Sequence, residues 1–446
     1  MKNSILTIVL SVLLISCVET KKQASKQPNI IIIVADDLGY GDISSFGNTN
    51  IQTPNIDALA TTGVKFTDFH SNGAVCSPTR AALMTGKYQQ RTGVEGVVTA
   101  KSHRKVGLSL DEITIAEELN KYGYNSGMFG KWHLGYSKNY NPSLQGFHQF
   151  EGFVSGNIDY HAHIDQEGYL DWWKNSEIKN KEGYSTDLIT ENGVEFIKAN
   201  NPEKTLKPFF LYLPHEAPHG PYQRRIDKAL REVGSSITKS VAKDSIASIY
   251  KEMVEVMDEG VGKIIQTLKE TGQYENTIVL FFSDNGANHL GDNGVLRGGK
   301  ASAYEGGSRV PAMFSYPEKI KTATISDETV LTMDVLPTLL DFIEQKPTAK
   351  NIDGISIKDH LLNKIKLPKR DVYFGYGKRS FIRSGDWKLI KIQQKEGYKK
   401  ELYNLSNDLK ERNNLSEENP ELVDKLLKKL NLWENEITKG VEIISK

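Results

Sequence analysis

The stretch Asn29-Ile30-Ile31-Ile32-Ile33-Val34-Ala35-Asp36-Asp37 decides the fold. A continuous run of β-branched apolar residues is typical of a strand that is buried on both faces, as in the middle of a parallel sheet. Two carboxylates follow at once, at the carboxyl end of that strand. Ligands of open α/β sheets bind beyond this end, so Asp36 and Asp37 are candidate site residues.

Three later segments repeat this pattern of an apolar strand that ends in polar residues: 124–129, 209–213 and 277–282. Helical patterns lie between the strands, at roughly 54–63, 112–122, 186–199, 245–271 and 328–345. Strands that alternate with helices predict an α/β fold with a large, mostly parallel or mixed sheet between helical layers. The polar ends of the strands should therefore gather at one edge of the sheet.

The pattern changes from about residue 367 to short strands separated by turn residues. The strand candidates are 371–376, 379–383, 387–392 and 401–405, and an amphipathic helix is predicted at 419–437. We expect a large α/β domain at 28–366, which contains the candidate site residues, and a C-terminal α+β subdomain at 367–446, with a small antiparallel sheet and a helix.

Residues 1–16 have the pattern of an export signal. Lys2 precedes an apolar run at 5–15, which is too short for a bilayer span of roughly 20 residues. The run ends in Leu14-Ile15-Ser16-Cys17, which resembles a bacterial lipobox. We expect a signal peptide at 1–16, lipid on Cys17, a polar tether at 17–27, and an exported lipoprotein anchored to a membrane. The alternative is an ordinary cleaved signal with an incidental Cys17.

The overall charge excludes one class of partner. Lys plus Arg and Asp plus Glu both number 56, so the formal net charge is zero. Nucleic-acid-binding proteins normally carry a basic excess, and we expect no nucleic-acid partner here. The chain has 2 cysteines, Cys17 and Cys76. If lipid and catalysis use them, no disulfide forms, although the compartment is oxidising.

Cys76 stands in the motif Cys76-Ser77-Pro78-Thr79-Arg80. Pro78 is suited to the first turn of a helix, and the following 81–84 (AALM) are strong helix formers. A nucleophile at a helix N-terminus faces unpaired N–H groups and the positive end of the dipole, which suits an anionic substrate. The alternative for this motif alone is a buried, unreactive cysteine.

A hard metal ion is predicted at the edge of the sheet. Asp36 and Asp37 should meet Asp284 and Asn285, which follow the strand at 277–282. Carboxylates within ~4 Å of one another repel by roughly 4 kcal/mol per pair at an effective dielectric constant near 20, so they need a cation or protonation. Oxygen ligands favour calcium, with magnesium second.

Cations and imidazoles accompany these carboxylates in the sequence. Arg80 lies one helical turn after Cys76. The other candidates follow predicted strands or lie in a glycine-rich loop: Lys131, His133, His219 and Lys300. Taken singly, each lysine has the alternative of a solvated side chain, and each histidine that of an ordinary hydrogen-bonding residue.

The chain from about residue 28 to its C-terminus resembles the type I sulfatases. The family signature is similar to residues 76–86, with Thr79 where Ser is usual. Further motifs follow in the family's order: Gly130–Gly135, Ala217–His219, Gly299–Lys300, Glu305–Pro311 and Glu401–Leu405. The resemblance implies an alkaline-phosphatase-like fold and a sulfuric ester hydrolase.

The resemblance also implies the chemistry of the site. A maturation enzyme would oxidise Cys76 to formylglycine, whose hydrate is the nucleophile. One calcium ion would be held by Asp36, Asp37, Asp284, Asn285 and the modified residue 76. Asp284 would accept a proton, Lys131 and Lys300 would hold sulfate oxygens, His219 would protonate the leaving alcohol, and His133 would assist sulfate release.

The loop at 155–185 is the predicted substrate-binding segment. Its candidates are Ser155, Asp159, His161 and His163, and a second loop adds His289, Asp292 and Arg297. Trp172 and Trp173 could stack on a sugar ring or pack in the core. We expect a sulfated oligosaccharide or polysaccharide as substrate, with exo action on ulvan or carrageenan preferred and host glycosaminoglycans as an alternative.

Two competing functions stay open at this stage. The first is a phosphonate monoester or phosphodiester hydrolase of the same superfamily, which shares the formylglycine signature and part of the metal site. The second is a non-catalytic glycan-binding lipoprotein.

Overall fold

The computed structural model describes residues 27–445. The export signal, Cys17 and nearly all of the tether predicted from the sequence lie outside the described residues. Between 27 and 445, no helix combines the length and the apolar character that crossing a bilayer requires.

The strands occupy the following ranges: β1 Asn29–Ala35, β2 Gly63–Phe66, β3 Phe69–His70, β4 Asn125–Lys131, β5 Gln149–Phe153, β6 Trp173–Lys174, β7 Glu177–Ile178, β8 Phe209–Pro214, β9 Thr277–Ser283, β10 Ala312–Ser315, β11 Thr324–Ser326, β12 Val330–Leu331, β13 Asp371–Tyr376, β14 Arg379–Ser384, β15 Trp387–Gln393 and β16 Tyr398–Asn404. The four strands that the sequence predicts for the large sheet correspond to β1, β4, β8 and β9.

The α-helices occupy the following ranges: α1 Pro54–Thr61, α2 Cys76–Thr85, α3 Ala100–His103, α4 Ile115–Asn120, α5 Ser185–Ala199, α6 Pro202–Thr205, α7 Lys243–Glu270, α8 Glu305–Ser308, α9 Val335–Phe342, α10 Lys358–Asn363 and α11 Pro420–Ile437. The structure also has short 3-10 helices, at Ser44–Phe46, Gln89–Thr92, Lys138–Tyr140, Pro142–Leu144 and Thr332–Asp334.

The large sheet has ten strands in the order β11-β2-β10-β9-β1-β8-β4-β5-β6-β7. β1 lies in the middle and pairs in parallel with both β8 and β9. β4 continues the parallel pairing on one side, whereas β10 is antiparallel to β9 on the other. The α/β fold with a mostly parallel or mixed sheet is therefore confirmed, with the parallel strands at its centre.

The sheet separates two hydrophobic cores, and β1 contributes to both. Ile30 and Ile32 belong to the core beneath α2, α4 and α9, while Ile31 and Ile33 belong to the core beneath α1, α5 and α7. All four isoleucines are 0 % exposed. Burying such a side chain contributes about 1.5–3 kcal/mol, so β1 is a fixed platform for the aspartates that follow it.

The C-terminal strands β13–β16 form a separate antiparallel sheet in chain order. One face packs against Ala74 and Ala303 of the larger part of the chain, with Phe374 and Phe381 at the contact. The other face packs against the apolar side of α11. The predicted small antiparallel sheet plus helix is confirmed. The face of the sheet that packs on the larger part of the chain contacts Ala74, which lies two residues before Cys76.

The prediction of a helix at 328–345 is wrong in its first half. Val330–Leu331 form the short strand β12, which pairs with β3, and a 3-10 turn precedes α9. Asp334 ends the turn by accepting a hydrogen bond from the Leu331 N–H at 2.8 Å. A β-branched residue at position 330 favours a strand, and the Asp334 carboxylate closes the turn that separates this strand from α9.

Candidate active site

The carboxylates at the ends of β1 and β9 meet as the sequence predicts. Asp36 and Asp37 follow β1, Asp284 and Asn285 follow β9, and the two strands pair up to Ala35 and Ser283. All four side chains are at most 1 % exposed. Ligand atoms of Asp36, Asp37, Asp284 and Cys76 lie within 4.8 Å of one another. The cluster is small enough to share one ion.

Asn285 provides a test of whether a metal fits this cluster. Its amide Nδ2 donates to Asp37 Oδ1 at 2.7 Å and to the Gly286 carbonyl at 3.1 Å. Its Oδ1 is buried and has no hydrogen-bond partner among the residues that the structure describes. A buried unpaired acceptor is costly. Together with three carboxylates, this oxygen gives the donor set of a hard divalent ion such as Ca²⁺ or Mg²⁺.

Cys76 is the first residue of α2, and all ten residues of this helix are buried. Its thiol donates to Asp36 Oδ1 at 3.3 Å, and Lys300 Nζ donates to its Sγ at 3.7 Å. The predicted helix start at Cys76 is therefore confirmed. Burial, with Asp284 and Asp36 nearby, raises the pKa of the unmodified Cys76 thiol far above its usual value. An unmodified Cys76 is thus a protonated thiol and a weak nucleophile.

Thr79 folds the segment before α2 back onto the helix. Its hydroxyl accepts from the Gly73 N–H at 3.1 Å and donates to the Gly73 carbonyl at 3.0 Å. A serine hydroxyl could form the same two bonds. The departure from the family signature at this position therefore keeps the local hydrogen bonding intact.

Arg80 fixes the position of Asp284. Its Nε and Nη2 donate to Asp284 Oδ2 at 3.1 and 2.8 Å, and its Nη1 donates to the Lys131 carbonyl at 2.9 Å. The guanidinium is 1 % exposed. Arginine is suited to this role because its rigid set of donors holds a carboxylate and a carbonyl at the same time. Arg80 therefore connects α2, β9 and the end of β4.

Lys131 and Lys300 each contact one of the two adjacent aspartates. Lys131 Nζ donates to Asp36 Oδ2, and Lys300 Nζ lies 2.7 Å from Asp37 Oδ1. With Arg80, three side-chain cations balance the three carboxylates of the cluster. The carboxylates were expected to need a cation or protonation, and a metal ion was the predicted cation. The structure shows that side-chain cations supply much of it.

The two central carboxylates differ in their proton affinity. Burial alone would raise the pKa of Asp36, but Lys131, His219 and Arg80 overcome this effect and hold that pKa well below its usual range. Burial and the neighbouring charge of Asp36 raise the pKa of Asp284 to about 6. Groups of opposite tendency within one cluster are typical of catalytic sites.

The two predicted imidazoles are each hydrogen-bonded to a backbone carbonyl. His219 Nδ1 donates to the Gly220 carbonyl at 2.6 Å, so Nε2 faces Asp37 Oδ2, 3.7 Å away. His133 Nε2 donates to the Val98 carbonyl at 3.0 Å. Burial lowers the pKa of both rings. The charge of Lys300 adds to this effect at His219, and the charge of Lys131 adds to it at His133. Both imidazoles are therefore held in one orientation by a backbone carbonyl.

The backbone is strained at three places around the site. Asp37, His133 and Ala301 have φ values of 65°, 59° and 65°. Residues other than glycine rarely adopt this left-handed region, and such strain tends to cluster at functional sites. Here it sets the direction of one carboxylate, one imidazole and the residue next to Lys300.

Comparison with known proteins gives this constellation a family. A family model described as Sulfatase matches residues 28–344. The chain belongs to the sulfatase family. A second model, N-sulphoglucosamine sulphohydrolase C-terminal, matches residues 299–436. The enzyme is therefore a sulfuric ester hydrolase of the alkaline phosphatase superfamily.

Individual relatives cover most of this sulfatase. Arylsulfatase A of Homo sapiens is 31% identical, over 78% of this chain and 71% of its own. N-acetylgalactosamine-6-sulfatase of Mus musculus is also 31% identical, over 79% of this chain and 70% of its own. Among solved structures, the crystal structure of Ps i-CgsB in complex with k-i-k-neocarrahexaose is similar to this chain with a TM-score of 0.81. The match covers 92% of this chain and 93% of that chain, and the sequence identity is 30%.

The predicted substrate loop of this sulfatase is more internally bonded than its sequence suggests. The Ser155 hydroxyl donates to the Asn157 carbonyl at 3.1 Å. The Asp159 carboxylate accepts four backbone N–H groups, two from the start of its own loop and two from Leu230 and Arg231. Asp159 thus joins two loops, and a role for it or for Ser155 at the substrate stays a prediction.

The aromatic and imidazole side chains of this loop are largely interior. Trp172 is 1 % exposed and stacks on His163, which is 0 % exposed, with ring centroids 4.5 Å apart. His161 is half-buried, and its Nε2 donates to the Arg224 carbonyl at 2.9 Å. Trp172 was expected either to stack on a sugar ring or to pack in the core, and its burial supports packing in the core. A sugar contact for His161 or His163 stays a prediction.

The three candidates of the second loop, His289, Asp292 and Arg297, are all exposed. Arg297 lies 3.7 Å above the ring of Tyr304 and donates to the Tyr403 hydroxyl at 3.1 Å, so it also joins the loop to β16. Arg297 therefore has a structural role, and its role as a substrate ligand stays a prediction.

Sequence reasoning did not identify two neighbours of the predicted metal site. Asn288 Nδ2 donates to Asp37 Oδ2 at 3.2 Å and to the Tyr222 hydroxyl at 3.1 Å. Asn288 lies three residues after Asn285 in the same loop. Its polar side chain, so near the predicted metal ligands in the sequence, could have indicated that it belongs to the site. Nothing in the sequence around Tyr222 indicates its place.

Proposed function

We propose that the protein is a formylglycine-dependent, calcium-containing sulfatase that removes sulfate from a sulfated carbohydrate by exo action. The contacts of Cys76 Sγ with Asp36 Oδ1 and Lys300 Nζ carry the proposal, because they put residue 76 between the predicted metal ligands and a cation. A residue at this place meets both the charge that activates a nucleophile and the charge that holds an anion.

The carbohydrate substrate is supported by the relatives. One of them is named N-acetylgalactosamine-6-sulfatase, and another was crystallised with a neocarrahexaose. The latter is similar over almost the full length of both chains. We therefore favour a sulfated algal glycan of the carrageenan type as the substrate class, with ulvan as the next candidate.

The metal would be held by Asp36, Asp37, Asp284 and Asn285, with residue 76. Bound there, it would supply positive charge to the sulfate oxygens and to the nucleophile. A formylglycine hydrate at position 76 would supply two hydroxyls on one carbon, one to attack sulfur and one to help release the product. A maturation enzyme that oxidises Cys76 is a required partner under this proposal.

The side chains of this enzyme have the following roles. Lys131 and Lys300 neutralise the oxygens of the sulfate group, and Arg80 keeps Asp284 in place as a proton acceptor. His219 is oriented by the Gly220 carbonyl so that Nε2 faces the site, and after Nε2 takes up a proton from solvent the imidazolium protonates the leaving alcohol. His133, oriented by the Val98 carbonyl, assists the release of sulfate. Positioned cations and proton donors of this kind are the usual sources of catalysis in transfer reactions.

Release of inorganic sulfate tests the proposal. The matured enzyme is incubated with sulfated oligosaccharides from carrageenan, ulvan and chondroitin, and Cys76→Ala is assayed in parallel. We expect release from at least one substrate and none from the variant. Equal release by both proteins would contradict the proposal, as would a peptide mass that shows formylglycine at position 76 in an enzyme that releases no sulfate.

For its cellular place, we propose export as a lipoprotein anchored through Cys17. The apolar run at 5–15 and the lipobox-like sequence support this proposal. Metabolic labelling of the full chain with a radioactive fatty acid tests it, with Cys17→Ala as the control. Label that persists in the variant would refute lipidation at Cys17.

A further inference from the structure

A cavity of about 360 Å³ lies between the second sheet, the helix α11 and the 3-10 helix at Gln89–Thr92. Its volume is in the range of about 300–1,000 Å³ that is usual for sites of small organic ligands. It is separate from the carboxylate cluster, and the residues that line it have no role in the proposed chemistry.

Two residues of its lining each carry a buried polar atom without a hydrogen-bond partner among residues 27–445. Gln90 is 4 % exposed, and its Nε2 donates to the Gly375 carbonyl at 3.2 Å. Its Oε1 accepts no hydrogen bond within the described part of the chain. The indole N–H of Trp433 likewise donates to no acceptor between residues 27 and 445. Both atoms are inaccessible in this conformation, so the hydroxyl groups of a ligand pair with this acceptor and this donor only after each side chain rotates toward the cavity.

The rim of the cavity is cationic. Lys378 and Arg379 lie in the exposed turn between β13 and β14, and neither side chain forms an ion pair or a hydrogen bond with another described residue. Deeper in the lining, Lys391 is paired with Glu434 at 2.6 Å. With Glu95, the lining holds three cations against two carboxylates. The two free cations favour a ligand that also carries a negative charge.

Tyr376 connects this cavity to the active site. It lines the cavity at the end of β13, and it packs against a cluster that contains Ala74 and Ala303. These alanines are two residues before Cys76 and three residues after Lys300. A saccharide chain that leaves the active site on this side would pass the ring of Tyr376 before it reaches the cavity.

We propose that the cavity is an accessory saccharide site, which binds an anionic sugar unit of the substrate other than the one that loses its sulfate. The inference rests on the proposed function for the nature of the ligand, and it deepens that function by making the substrate an oligosaccharide with at least two anionic units. The hydroxyls of the sugar meet Gln90 and Trp433, and its anionic group meets Lys378 and Arg379.

Binding to a catalytically silent protein tests the site without reference to turnover. The full chain with Cys76→Ala is titrated by calorimetry with sulfated hexasaccharides of carrageenan and of chondroitin, and with an unsulfated hexasaccharide. Adding Lys378→Glu and Arg379→Glu should weaken the binding of a sulfated hexasaccharide at least tenfold. Adding Trp433→Phe keeps an aromatic side chain, although a smaller one, and removes the N–H donor, which should weaken binding about two- to tenfold.

The matched control reverses two other exposed lysines, Lys395 and Lys410, which do not line the cavity. Lys395→Glu with Lys410→Glu should leave the dissociation constant within twofold of the Cys76→Ala parent. The proposal is overturned if the control weakens binding as much as the charge reversal at 378 and 379. It is equally overturned if neither sulfated hexasaccharide binds the parent.

Turnover separates this inference from the proposed function. In the matured enzyme, the charge reversal at 378 and 379 should raise KM for the hexasaccharide at least tenfold more than KM for a small aryl sulfate. Sulfate release without that difference would leave the proposed function standing and refute the accessory site. Charge-dependent binding by a protein that releases no sulfate from any ester would refute the function and support the site.

Discussion

Lys388 of the second sheet donates a hydrogen bond to Glu305 Oε1 at 2.9 Å, although both side chains are completely buried. Glu411 lies on the other side of the ammonium group, also at 2.9 Å. Burial alone would raise the pKa of Glu305, but Lys388 and His70 overcome this and hold it well below its usual range. This triad joins the C-terminal sheet to the loop that carries Lys300.

Replacing Lys388 by Met should destabilise the protein by about 3–5 kcal/mol, because it removes the buried ammonium group that Glu305 and Glu411 share. Urea unfolding followed by circular dichroism measures this change. The matched control is Lys239→Met, which removes an exposed pair with Glu232 and should cost no more than about 1 kcal/mol. An effect at Lys388 as small as that at Lys239 would show that the triad does not hold the two parts together.

Serine at position 76 should give at most one turnover. Its hydroxyl occupies the place of Cys76 beside Asp36 and Lys300, but a serine carbon carries only one oxygen, so a serine sulfate ester has no internal route of release. Rapid-quench measurement of alcohol released from a sulfate ester should show a burst no larger than the enzyme concentration. Cys76→Ala should show no burst, and sustained turnover by Cys76→Ser would contradict the proposed nucleophile.

Calcium should raise the melting temperature of the wild type. A ligand that binds only the folded state at 100 times its dissociation constant stabilises it by about 2.7 kcal/mol. Asn285→Ala removes the unpaired buried Oδ1 and should reduce the calcium-dependent shift by at least half, whereas Asn50→Ala, at an exposed position, should not change it. Differential scanning calorimetry with chelator and with calcium measures the shift. A full shift in Asn285→Ala would exclude this oxygen as a ligand.

The elements of the large sheet that could be predicted are those whose signal is local. The run at Ile30–Val34 predicts a buried strand, and a helix whose first turn contains Pro78 follows from the chemistry of proline. By contrast, β2 and β10 have four residues each and pair only with distant strands. Their stability comes from the partner rather than from their own sequence, so a local pattern could not reveal them.

The same distinction applies to the site. Asp36, Asp37, Asp284 and Asn285 were predictable because parallel strands bring their ends to one edge. The balance of charges at Lys131, and the triad around Lys388, depend on which segments of the folded chain meet. Asp159 is a further case, since its four backbone donors come from two loops more than 60 residues apart, and sequence alone shows only a polar residue in a loop.

His215 should make the protein less stable in mild acid. It is 2 % exposed, and burial lowers its pKa to about 4. The unfolded chain, with a histidine pKa of about 6.5, then binds one more proton than the folded chain between these two values. Its contribution to stability is fully present above about pH 6.5 and falls by about 1.4 kcal/mol per pH unit down to about pH 4, because the free energy of unfolding follows the difference in bound protons.

Urea unfolding at half-unit steps from pH 7.5 to pH 4 measures this slope. His215→Gln removes the titrating ring and should reduce the slope by one proton, whatever it does to stability at pH 7.5. His289→Gln is the control, because His289 is exposed and meets water in both states. The slope, rather than the absolute stability, decides the matter: a loss of packing lowers the curve at every pH, and only removal of a proton-binding group changes its inclination. An unchanged inclination in His215→Gln would mean that His215 is protonated equally in the folded and unfolded states.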